Sequence, residues 1–117
     1  MARVSIEDNQ LVIRMQGTRK LWALKSELDI PLDSVTGVTT GLDFKEIPSI
    51  LDKRAGANLL GFYYAGTFVQ DGDRVFYDLK RTEDAVVVTL EDEEFKRIII
   101  GVDNPQEVVE LIENALK

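Results

Sequence analysis

Apolar and polar positions alternate along most of this chain, with the two-residue period of β-strands. Val4 and Ile6 alternate with polar neighbours, Glu7, Asp8, Asn9 and Gln10 form a turn cluster, and Leu11, Ile13 and Met15 then share one face. This predicts a first hairpin with strands over residues 3–7 and 10–16. The β-branched stretch 35–40 predicts a third strand. Four more are predicted over 62–70, 73–79, 85–90 and 95–102, where apolar runs are bounded by charged turns. Asp71-Gly72 suits a type I′ hairpin turn, which needs positive φ at both central residues. Gly66, inside a strand, suggests a bulge or a sharp bend.

Two segments carry a helical period instead. Leu21, Leu24 and Leu28 recur at helical spacing after Thr18, predicting a short helix over 18–27 that Pro31 stops. The second helix, over 104–116, has stronger signals. Asn104 is a good N-cap, Pro105 sits at the first helical position and Glu107 supports a capping-box-like pair. Val108, Leu111, Ile112 and Ala115 mark one face, widened by Val109 and Leu116. A helix of this length is marginal alone and must dock. Its expected place is the open end of a curved sheet or barrel, with its apolar face committed to the core. Residues 41–61 contain Pro48, Gly56 and scattered charges, and predict no regular element.

Composition narrows the function classes. A chain of 117 residues has one domain as its natural prior and can bury a core without staples. Cysteine and histidine are both absent, which removes disulfides, thiolate metal sites, the usual neutral-pH acid/base and the common triads. The first residues lack the apolar run of a signal peptide, and the longest uncharged stretch, 55–70, is too short and glycine-broken to span a membrane as a helix. A cytoplasmic location is the expectation. The net charge of −7 arises wholly in residues 61–117, since 1–60 are balanced. That acidic half repels phosphate backbones, so nucleic acid is not an expected partner.

The motifs that could carry chemistry each have a plainer reading. Glu91, Asp92, Glu93 and Glu94 read as a solvated turn, and Asp71-Gly72-Asp73 lacks the ligand spacing of a calcium loop. Gly56, Gly61 and Gly66 have P-loop-like spacing, but Phe62 and Thr67 stand where lysine is required. No catalytic residue, metal ligand or cofactor is assigned. Lys53 and Arg54, in the irregular stretch, are a candidate anion or peptide site, though an ordinary exposed basic pair explains them too. Trp22, Tyr63 and Tyr64 are candidate partner contacts, because Trp and Tyr are enriched at interfaces; core packing is the plainer role.

Seven strands followed by a C-terminal helix resemble the pleckstrin-homology (PH) superfold. The wording of Leu28-Asp29-Ile30-Pro31-Leu32-Asp33-Ser34-Val35, Tyr64-Ala65-Gly66-Thr67-Phe68, Val86-Val87-Val88-Thr89-Leu90 and Val102-Asp103-Asn104-Pro105 is similar to that of bacterial PH-like domains of unknown function. The resemblance implies a mainly β protein, a seven-stranded barrel or sandwich capped by the C-terminal helix. It also implies binding of phosphoinositides, peptides or protein surfaces, or self-assembly. The basic signature of phosphoinositide binders lies in the first hairpin loop, which here is the acidic Glu7-Asp8-Asn9-Gln10. The expected function is therefore a non-catalytic module that binds a protein, a peptide or itself. The alternatives are an adaptor for anionic lipid head groups and a small-molecule-binding protein or small enzyme.

Overall fold

Two tight turns set the hairpins. Asp8 and Asn9 have φ of 51° and 62°, and Asp71 and Gly72 have 52° and 84°, the paired positive values of type I′ turns. The computed structural model describes residues 2–15, 27–41, 53–58, 63–80 and 82–117, with the backbone alone for 53–58 and 63. The first turn joins β1 (Arg3–Glu7) to β2 (Gln10–Arg14). The strand β3 (Glu27–Pro31) lies along the other side of β2, completing a three-stranded antiparallel sheet. Leu28 and Ile30 are buried in it while Glu27, Asp29 and Pro31 are exposed.

A short 3-10 turn, Leu32–Ser34, leads into β4 (Val35–Thr40). The chain continues through β5 (Lys53–Asn58), β6 (Tyr63–Gln70), β7 (Asp73–Lys80), β8 (Asp84–Leu90) and β9 (Arg97–Val102) to the helix α1 (Pro105–Leu116). These strands form a six-stranded sheet in the order β4-β8-β9-β7-β6-β5. β9 lies between β7 and β8, antiparallel to β8 and parallel to β7. Register shifts mark bulges at Thr36, whose hydroxyl donates to the Thr89 carbonyl at 3.1 Å, and at Arg54.

Several expectations are corrected. The consecutive strands β7 and β8 do not pair as a hairpin, because β9 lies between them. Among the described residues no seven-stranded barrel closes: β1, β3, β4 and β5 remain sheet edges. Of the bulge or bend expected at Gly66, the bulge falls on the neighbouring β5 instead, while Gly66 keeps unbroken register with Tyr77 at a φ of 100°. Residues 53–58 are a strand where no element was predicted. The helix expected over 18–27 lies outside the described residues apart from Glu27, which opens β3.

The main core fills the space between the two sheets. Leu11, Ile13, Met15, Leu28 and Ile30 from the small sheet meet Phe76, Val86, Val88, Leu90, Ile98 and Ile100 from the large one. Helix α1 adds Val109 and Ile112 and packs against β1, β4 and β8, bridging both sheets. A second apolar cluster occupies the opposite face of the large sheet, with Tyr64, Phe68, Val75, Tyr77, Leu79, Ala85 and Ile99. The consecutive Ile98, Ile99 and Ile100 follow from this: β9 is a central strand, buried on both faces.

Candidate functional site

Of the residues singled out from the sequence, those described lie on β5 and β6. Lys53 and Arg54 lie at the first end of β5, an edge strand, with Arg54 at the bulge. Tyr64 pairs with Asn58 at the other end of β5, and Tyr63 is the first residue of β6. Tyr64 is 7% exposed, and its ring lies 6.2 Å from those of Phe68 and Tyr77, so it packs in the second cluster. Trp22 lies outside the described residues.

A groove of about 420 Å³ runs instead between α1 and β1. Its apolar surface comes from Ala2 and Val4, from Val102 at the end of β9, and from Val108 and Leu111 on the helix. Asp103, Glu107 and Glu110 bring three carboxylates to it, and Asn104 and Asn114 bring two amides. No cation is among its described lining residues.

Local chemistry explains the shape. The Asn104 Oδ1 accepts the Glu107 N–H at 3.1 Å, and the Asn104 amide donates to the Glu107 carboxylate at 3.3 Å. This reciprocal cap starts α1 directly after β9 and holds Glu107 at the rim. Ala2 N–H donates to the Gly101 carbonyl at 3.0 Å, tying the start of the first strand to the end of β9. Leu111 is left at the side of the helix, 39% exposed, while the adjacent Ile112 is fully buried. The apolar face of α1 is thus wider than the core it covers, correcting the expectation that the whole face is committed. The sequence carried this signal as a helical stripe that Leu111 and Leu116 overfill, but it does not say which residues the core leaves out.

The outer face of the small sheet is also polar, and it is self-satisfied. Arg14 donates from Nε to Glu27 at 2.9 Å and from NH1 to Glu7 at 2.8 Å, across all three strands. These bonds raise the affinity of the guanidinium for its proton and, with the Ser5 hydroxyl, lower the Glu7 pKa. Asp29 is pushed the other way, chiefly by its hydrogen bond with the Glu27 carboxyl group and then by slight desolvation. Arg14 is therefore already occupied. Among the described residues no cluster of acidic side chains is arranged to hold a metal, and no helix is long and apolar enough to cross a membrane. No family model, curated protein or solved structure matches the chain.

Proposed function

We propose that this chain is a non-catalytic interaction domain of PH-like organisation, and that its α1–β1 groove receives a peptide segment of a protein partner. The PH-like aspect is the C-terminal helix set across two sheets; the β7–β9 parallel pairing is this chain's own departure from a run of hairpins. The carrying observation is the groove's composition, an apolar surface lined by three carboxylates and, among its described residues, no cation. Such a surface complements a short segment with an apolar anchor flanked by lysine or arginine. Burial of the anchor supplies affinity, and the rim charges supply orientation and on-rate. β1 offers a second element, since it is an edge strand whose far side pairs with no described strand.

The reading as an adaptor for anionic lipid head groups has less support. Of the two basic residues of the first hairpin, Arg3 and Arg14, the second is held by two carboxylates, and the first turn is acidic. Fluorescence anisotropy with a labelled hexapeptide alternating lysine and leucine tests the peptide reading. Saturable binding that weakens with salt is expected. Equal binding of the matching glutamate–leucine peptide would overturn it.

A further inference from the structure

The second face of the large sheet has a cavity of its own. Its floor is one row of residues running straight across four strands. By register Thr39 stands beside Val87, Val87 beside Ile99 and Ile99 beside Tyr77. The next residue in the row, on β6, is Gly66, which has no side chain and a φ of 100°. The Tyr77 ring packs with the β6 aromatics on either side of that glycine, 5.2 Å from Phe68 and 6.2 Å from Tyr64. Its hydroxyl donates to the Gln70 Oε1 at 2.7 Å, so the ring is held in place, and at 1% exposure it backs the cavity from beneath. The cavity, open to solvent on one side, has a volume of about 530 Å³, within the range of small-molecule pockets.

Arg97 lines this cavity, two residues before Ile99 on the same face of β9. Its register partners are Thr89 and Val75, neither of which can neutralise it. The contrast with other arginines is informative. Arg14 and Arg74 each hold carboxylates, at 2.8 Å and 3.3 Å, whereas Arg97 is partly buried and forms no ion pair among the described residues. A part-buried cation left without a carboxylate among the described residues, in a chain of net charge −7, points to an external anion. The one acidic lining residue described, Asp71, belongs to the β6–β7 turn and opposes a multiply charged anion.

We propose that this cavity binds a small aromatic monocarboxylate, its ring over Val87 and Thr39 at the accessible end of the row and its carboxylate on the Arg97 guanidinium. The site is separate from the α1–β1 groove and does not depend on the peptide reading. Titration with 2-naphthoate, followed by NMR of the Val87 and Ile99 methyls and the Arg97 Nε–H, tests it. Saturable shifts at these groups are expected, with roughly tenfold or weaker binding of the uncharged 2-naphthalenemethanol. Arg97→Gln should cause a similar loss without lowering Tm, and Arg97→Lys should restore part of it. The ligand comparison stands even if a variant fails to fold. Absence of shifts at these groups, equal binding of the uncharged analogue, or displacement by equimolar inorganic phosphate would each overturn the proposal.

Discussion

Glu83 lies across the face of Gly101, and its carboxylate accepts the Lys80 N–H at 2.8 Å. The two residues explain how β9 can sit between β7 and β8. The connection from Lys80 to Asp84 must cross the end of β9, a width of about two strand spacings, or roughly 10 Å. Gly101 stands at that end, paired with Ala85. A Cβ there would overlap the Glu83 Oε1, Cδ and Cβ, so the crossing needs a residue without a side chain.

Gly101→Ala is therefore expected to destabilise the fold by about 1–3 kcal/mol, the usual range for overpacking. The conflict reaches the Glu83 Cβ, so truncation to alanine would not relieve it. In a Glu83→Gly background most of the Gly101→Ala penalty should disappear. Urea unfolding of the four proteins of this cycle measures the coupling. Additive effects would show that the crossing does not depend on this contact.

This split arrangement also marks where local sequence reading stops. The alternation in 73–79, 85–90 and 95–102 locates β7, β8 and β9 to within a residue or two, and the Asp71-Gly72 turn and the Asn104 cap are visible directly. Which strands are neighbours is a non-local property, and alternation is silent about it. β3 was hidden because Leu28 fits the helical spacing of Leu21 and Leu24 as well as the two-residue period with Ile30. β5 was hidden because Ala55, Gly56 and Ala57 have weak strand preference, and its pairing with β6 supplies what the residues lack. The groove was the least legible feature. Leu111 and Ile112 look alike in the sequence, and only the docking angle of α1 separates them.

The Asn104 cap supports both the helix and the groove. Asn104→Ala removes the acceptor of the Glu107 N–H and should cost about 1 kcal/mol. Asn104→Asp keeps an acceptor and should recover most of that loss. Denaturant midpoints at constant m-value measure both.

Stability should respond to pH through the outer face of the small sheet. The Glu7 pKa is lowered by Arg14, so its contribution is present above the ordinary carboxylate range and is lost as pH falls through the depressed value. Asp29 has the opposite sign. Its raised pKa means that ionised Asp29 beside Glu27 opposes folding at neutral pH, and protonation relieves this as pH falls. Asp29→Asn should raise Tm at pH 7, and the gain should shrink as pH enters the carboxylate range. A gain independent of pH would contradict this electrostatic reading.

Adjacent helix positions should separate stability from binding. Ile112 is fully buried, so Ile112→Ala should cost about 2–5 kcal/mol. Leu111 is 39% exposed, so Leu111→Ala should change stability by only about 0.5 kcal/mol. Thermal unfolding of the two variants side by side gives the comparison.

The central claim is that the α1–β1 groove takes a basic, apolar peptide, and the dissociation constant of the lysine–leucine hexapeptide for wild-type and Leu111→Ala protein tests it most directly. Loss of most of the Leu111 side chain should weaken binding about tenfold, equivalent to about 1.4 kcal/mol, with Tm nearly unchanged. Combined Asp103→Asn, Glu107→Gln and Glu110→Gln substitutions should abolish the salt dependence. Undiminished affinity in the Leu111→Ala protein, with salt dependence intact in the triple variant, would contradict the account.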